Sequence, residues 1–270
     1  MDLGLAGATA VVNGGTRGMG RAAAESLATE GARVAVLART QTGLDQTVDA
    51  LVDLGSPDAI GISTDLTSRT SVDSAFASVG DRWGALNVLV NAAGPTEVGI
   101  GGFDQIDDDE WLATFDIGTL SAARCLRAAL PLMRSAPWGR VVNISAHSTK
   151  RQSTGLVAYT AAKAALTSLS KNLSASLAPD GILVNTVSPG TFLSEGMKGY
   201  LRSLPAERGV DPESLVDAMR VVSEDFGHPA HLGRAADPGE IGPLIAFLCS
   251  QANTYMTGAN LNIDGGSDFT

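Results

Sequence analysis

Short apolar runs return along this chain at spacings that suit strands joined by helices. Ala8–Val12, Arg33–Leu37, Ala59–Ser63, Leu86–Val90, Arg140–Ile144, Ile182–Val187 and Leu261–Ile263 read as strands, most of them near-continuous apolar runs of the kind buried on both faces. Between them lie helical stretches: one to about Glu30, then Thr42–Leu54, Arg69–Trp83, Trp111–Met133, Leu156–Leu177 and Pro238–Cys249. Parallel strands need a crossover, and a helix supplies it, so the alternation predicts an α/β fold with a doubly wound parallel sheet. With 270 residues, 44% hydrophobic and 18% charged, the whole chain, 1–270, fits one large domain. The irregular stretch is 191–233. It reads as a mobile lid or substrate wall too small for a core of its own, with Phe192, Met197, Tyr200, Leu201, Leu204 and Met219 as its apolar material.

The first strand runs into Asn13-Gly14-Gly15-Thr16-Arg17-Gly18-Met19-Gly20 and then a helix. Strand, glycine-rich turn and helix form the setting in which backbone N–H groups hold a pyrophosphate. Gly14 permits the tight turn, Gly18 lets the backbone approach a ligand, and Gly20 lets the helix lie close to the strand. Arg17 at the helix start opposes the macrodipole, which makes sense if an anion binds there. The second strand ends in Ala38-Arg39-Thr40, with no Asp or Glu from Leu37 to Gln41 to hold a ribose 2′-hydroxyl. Arg17 and Arg39 together favour a 2′-phosphate, hence NADP with NADPH preferred and NAD possible. Asp65-Leu66 ends the third strand, placed to touch an adenine. Asn91-Ala92-Ala93-Gly94 breaks the fourth with small residues that leave room for a ligand.

Tyr159 and Lys163 stand four residues apart on a helix and share one face. A free phenol titrates near ~10 and is a poor base at neutral pH. A neighbouring ammonium favours the phenolate and lowers that value, which suits a group exchanging a proton with a substrate oxygen.

The net charge of −10 argues against nucleic acid or an anionic membrane as partner. No apolar run approaches the ~20 residues of a membrane span. The start of the chain lacks the pattern of a signal peptide, and its only cysteines, Cys125 and Cys249, lie in helical patterns, so a reduced cytoplasmic setting is expected. His228 and His231 read as solvated loop residues. The acids Asp107 to Glu110 read as helix-start charges, and no metal site is expected.

Taken in order, Gly14-x-x-x-Gly18-x-Gly20, Asn91-Ala92-Ala93-Gly94, Tyr159-x-x-x-Lys163, Pro189-Gly190 and the tail from Thr257-Gly258 to Asp264-Gly265-Gly266 resemble the short-chain dehydrogenase/reductase family over nearly the whole chain. Among its members the chain resembles 3-oxoacyl-carrier-protein reductases. The resemblance implies a Rossmann-type sheet of about seven strands and a nicotinamide cofactor. It also implies hydride exchange with a small-molecule carbonyl or alcohol, and a homotetramer or homodimer. Tyr159 would be the general acid, and Lys163 would hold the nicotinamide ribose and tune Tyr159. The cofactor would lie on Gly14, Thr16, Arg17, Gly18, Met19, Gly20, Arg39, Thr40, Asp65, Leu66, Asn91, Ala92, Ala93, Gly94, Ile144, Tyr159, Lys163, Pro189, Gly190, Thr191, Phe192 and Ser194.

Two family positions depart from this pattern. Ala146 stands where the substrate-orienting Ser is expected, and Gly118 where an Asn is expected. Neither side chain can make the missing hydrogen bond. Ser145, slightly ahead of Ser148, is the expected replacement. The departures leave a second reading open, a dinucleotide-binding regulatory or scaffold protein with little turnover, and an epimerase or dehydratase is a weaker third. Ala122, Ala123, Leu126, Ala129 and Leu130 offer a small apolar helix surface, suited either to a subunit contact or to the sheet.

Overall fold

Residues 2–95 and 101–267 are described in a computed structural model of the protein. Seven parallel strands form one sheet: β1 (Thr9–Asn13), β2 (Arg33–Ala38), β3 (Ala59–Ser63), β4 (Val88–Asn91), β5 (Gly139–Ile144), β6 (Ile182–Pro189) and β7 (Asn260–Ile263). Their spatial order is β3-β2-β1-β4-β5-β6-β7. The chain therefore reverses direction across the sheet between β1 and β4, and the crevice at the carboxyl ends there is where open α/β sheets bind ligands.

Successive residues of a strand face opposite sides, and the two sides hold different cores. Val12, Val34 and Val36 pack with α1 (Gly18–Thr29) and with the last helix, Gly242–Leu248. Val11, Ala35, Leu37 and Leu89 pack against α3 (Arg69–Trp83), which follows α2 (Gln41–Asp53), and against a helix at Ser121–Arg134. These side chains are fully buried, and each Val or Leu taken from water contributes about 1.5–3 kcal/mol.

The helix expected from Trp111 to Met133 is three pieces. α4 (Asp108–Phe115) passes through one π turn (Asp116–Leu120) into α5 (Ser121–Arg134). Gly118 lies in the π turn, and a Cβ there would come 2.9 Å from the Ala162 methyl. The apolar surface expected for a subunit contact is largely spent within the chain. Ala122, Leu126 and Ala129 are buried, and Leu126 and Ala129 belong to the sheet-facing core.

The 191–233 segment also differs from expectation. It forms α7 (Glu195–Ser203) and α8 (Leu215–Phe226), after α6 (Val157–Leu177) and before α9 (Gly242–Leu248). It builds a small core of Leu193, Leu201, Ala218 and Val221, closed by Ala235 just beyond it, with Met197, Tyr200 and Leu204 packed on it. Phe192 is excluded from that group and lies in the main core at 5% exposure. Pairing two amphipathic helices supplies what neither could bury alone.

Candidate active site

Asn13 ends β1, and the chain then turns through the glycine-rich loop into α1. Gly14 has φ +66° and Gly18 φ +53°, a left-handed backbone that side chains resist. A Cβ at Gly14 would stand 2.9 Å from the Ala93 nitrogen, and one at Gly20 would collide with the Gly14 carbonyl. Arg17 is the extended residue before α1. The first turn of the helix holds no acid and receives no side-chain cap, which leaves its N–H groups without a side-chain acceptor. Thr16 and Met19 flank this turn, half-exposed. Ser194, the N-cap of α7, accepts from the Met197 N–H and lies across from Gly18, 3.7 Å from where a Cβ there would be.

Arg17, Arg39 and Thr40 are exposed. Asp65 accepts from the Thr67 N–H and hydroxyl, which together with the nearby Arg39 charge hold its carboxyl below the usual range. Its side chain thus builds a local turn, and Leu66 beneath it is buried. Pro189 and Gly190 close β6. Gly190 packs so tightly on the tail that a Cβ would sit 2.7 Å from the Asp264 Cα, so position 190 needs glycine. The Thr191 carbonyl accepts from the Ala236 N–H.

α6 carries Tyr159, half-buried, and Lys163, only 3% exposed. Lys163 Nζ donates to the Ile144 carbonyl at 2.8 Å and lies 2.9 Å from where a Gly94 Cβ would be. The end of β5 and the turn after β4 therefore form its seat, and a Cβ at 94 would have to displace the ammonium. Burial pulls the Lys163 ammonium down to about 8 and pushes the Tyr159 phenol up to about 12. The expected lowering of the phenol is thus reversed in the protein alone, because burial desolvates the phenolate.

Ser145 corrects another expectation. Its hydroxyl donates to the Lys163 carbonyl at 3.0 Å, meets the Thr167 hydroxyl at 2.8 Å and is buried. It pins β5 to α6 and is committed there. Ser148 is buried on a short 3₁₀ turn (His147–Thr149), where its oxygen accepts from Thr160 at 3.3 Å. Beside it, His147 contacts the Pro189 carbonyl at 3.2 Å, and its ring meets His228 edge-on at 4.8 Å. His228, read as solvated, is 3% exposed, and burial lowers its pKa; only His231 is exposed.

Sequence reasoning also passed over Asn13 and Asn143. Each ends an apolar pair, Val11-Val12-Asn13 and Val141-Val142-Asn143, as Asn91 does in Leu89-Val90-Asn91. That recurrence was the available signal. Among the described residues, no cluster of three or more His, Cys, Asp or Glu is arranged to hold a metal, and no helix is long and apolar enough to cross a membrane.

Comparison with known proteins agrees with this fold. The family described as enoyl-(acyl carrier protein) reductase matches residues 14–268. The 3-oxoacyl-(acyl-carrier-protein) reductase FabG of Vibrio cholerae is 31% identical over 262 residues, 97% of this chain and 98% of that protein. Short-chain reductase protein NovJ of Streptomyces niveus is 33% identical over 258 residues, 95% of this chain and 92% of that one. The crystal structure of L-sorbose reductase from Gluconobacter frateurii, complexed with NADPH and L-sorbose, matches with a TM-score of 0.92 at 28% identity and covers 100% of both chains.

Proposed function

The chain belongs to the short-chain dehydrogenase/reductase family, oxidoreductases that act on carbonyl and alcohol groups, and we propose that it is an NADP(H)-dependent reductase with Tyr159 as proton donor. The observation that carries the reading is the Lys163 seat, which joins the β4 turn, the end of β5 and the Tyr159 helix at one ammonium. The glycine cradle and the uncapped first turn of α1 fit a pyrophosphate, and Arg17 and Arg39 fit a 2′-phosphate. When bound, NADPH supplies the hydride.

The chain's own residues supply the rest. A phenol held protonated by burial is a competent acid at neutral pH. As negative charge develops on the substrate oxygen, Tyr159 donates its proton, and the Lys163 charge stabilises the phenolate left behind. Above about pH 8 Lys163 loses that charge, so reduction should slow there. With Ser145 committed to α6, Ser148 takes the place of the missing serine as second donor. Ser148→Ala should therefore lower kcat more than Ser145→Ala.

NADPH oxidation across ketones, aldehydes, 3-oxoacyl thioesters and L-sorbose tests the assignment. The thioesters and the ketose are included because of the acyl-carrier and sorbose reductases above. Ala146 and Gly118 favour one other reading, a cofactor-binding regulatory or scaffold protein. NADPH binding without turnover on the whole panel would select it. Assembly into a homodimer or homotetramer would use exposed side chains of the same helical run, Leu112 and Leu120, in place of the buried Leu126 and Ala129. A monomeric mass by light scattering at micromolar concentration would exclude it. Residence in the cytoplasm rests on the two buried, unpaired cysteines.

A further inference from the structure

Three asparagines stand side by side across the middle of the sheet. Asn13 pairs in register with Asn91, and Asn91 with Asn143. Their carboxamides form a chain. Asn13 Nδ2 donates to Asn91 Oδ1 at 2.5 Å, Asn91 Nδ2 to Asn143 Oδ1 at 2.7 Å, and Asn143 Nδ2 to Ser170 Oγ at 2.8 Å. Ser170 donates in turn to the Leu166 carbonyl. At the other end Asn13 Oδ1 accepts from the Ala92 and Ala93 N–H groups at 2.9 and 3.0 Å. All four side chains are 1–2% exposed.

The direction of this chain is forced from both ends. Backbone N–H groups can only donate, so Asn13 must offer them its oxygen. The Leu166 carbonyl can only accept, so Ser170 spends its hydrogen there and must itself accept. Every amide between is therefore oriented one way, and each donor and acceptor named is used. Amide dipoles aligned head to tail in a dry interior strengthen one another.

What the chain connects is the two halves of the Lys163 seat. One end holds Ala92 and Ala93, directly before Gly94. The other holds α6 at Ser170, two turns beyond Lys163. Asn143 lies two residues before Ser145, and both grip α6: Ser145 at the Lys163 carbonyl itself and Asn143 at Ser170, two turns further on. The intervening Ile144 carbonyl receives Nζ.

We infer that Asn13, Asn91, Asn143 and Ser170 are positioning residues: they fix the distance between the cofactor turn and the catalytic helix, and so set where the Lys163 ammonium sits. The inference rests on the reading of Lys163 as a cofactor-holding group. A ladder that served the sheet alone would have no reason to leave it for Ser170 or to hold the Ala92–Ala93 turn.

The test is NADPH binding to the whole protein, followed by fluorescence from neutral to alkaline pH, with thermal unfolding as a check on folding. Ser170→Ala and Asn143→Leu should weaken NADPH about tenfold and move the alkaline midpoint of binding, while Ser170→Thr, which keeps the hydroxyl, should restore both. A general loss of stability would not move that midpoint in the folded fraction. If Asn143→Leu does not fold, the Ser170→Ala and Ser170→Thr pair decides. Folded Ser170→Ala with the affinity and midpoint of the unmodified protein would overturn the inference. Lys163→Met with unchanged NADPH affinity would instead overturn the reading of Lys163 on which it rests, whatever the ladder variants do.

Discussion

The sheet body and the 191–233 segment, a cap closed by Ala235, both bury an apolar core, yet they deploy polar groups in opposite ways. The body hides them: the Asn13–Asn91–Asn143–Ser170 ladder, Lys163, and Arg140, whose guanidinium donates to the carbonyls of Gly139, Ser250 and Asn253 without a carboxylate. The cap displays its own. Lys198 and Arg202 share Glu213, and Arg208 holds Glu224 and Asp225 on its surface. Buried hydrogen bonds fix positions to fractions of an ångström, because leaving one unmade costs about 1–3 kcal/mol. Exposed ion pairs hold a shape loosely and yield to salt. The proposed function puts the chemistry that needs a set distance in the body and the choice of substrate in the cap.

The largest effect expected from breaking this contrast is in the body's apolar core. Leu89→Ala, at a fully buried site of the central sheet, should cost about 2–5 kcal/mol in chemical denaturation. Its neighbours are strands on both sides and cannot collapse into the space. Next comes cofactor choice at the body's edge. Arg39→Asp should weaken NADPH by roughly tenfold or more, the worth of a charge-assisted hydrogen bond, and narrow the gap to NADH. Equal affinity of the unmodified protein for both cofactors would contradict this.

The two regions should also answer to opposite ends of the pH scale. Burial brings Lys163 down to about 8, so between there and the ordinary lysine value of 10.5 the unfolded chain binds more protons than the folded one. Stability carried by this group therefore rises with pH across that window. Lys163→Met should abolish the rise and raise Tm at neutral pH, where the buried charge is a cost. In the cap, hydrogen bonds and charge from Lys198 and Arg202 hold the Glu213 carboxyl below its ordinary value of 4.5. That contribution is complete above 4.5 and is lost as pH falls through the lower, folded value. Glu213→Gln is the smallest effect: a slight gain in proteolysis of the cap at low salt that disappears at high salt.

Local pattern told most of the body. The strands, and a helix expected and found at Arg69–Trp83, follow from periodicity and from stops such as Gly84 with φ +73°. The tight turn at Gly14 and the close packing of Gly20 follow from strand-turn-helix context. What escaped depends on partners distant in sequence. The ladder needs Asn13 in register with a residue 78 positions away. The cap core needs two amphipathic helices to be recognised as mates. Of Ser145 and Ser148, alternation along β5 cannot tell which hydroxyl α6 will claim. The π turn at Gly118 arises where the chain must pass the Ala162 methyl, a contact that position 118 does not announce.

Tyr159 is the proposed proton donor, and the measurement that reaches it most directly is the turnover of Tyr159→Phe with NADPH and the best substrate from the carbonyl panel. Phenylalanine keeps the ring and removes only the proton that is to be given. With NADPH affinity unchanged, kcat should fall at least ~10²-fold, the lower end for general acid catalysis. Turnover equal to that of the unmodified protein would contradict the mechanism and turn attention to His147 as the acid.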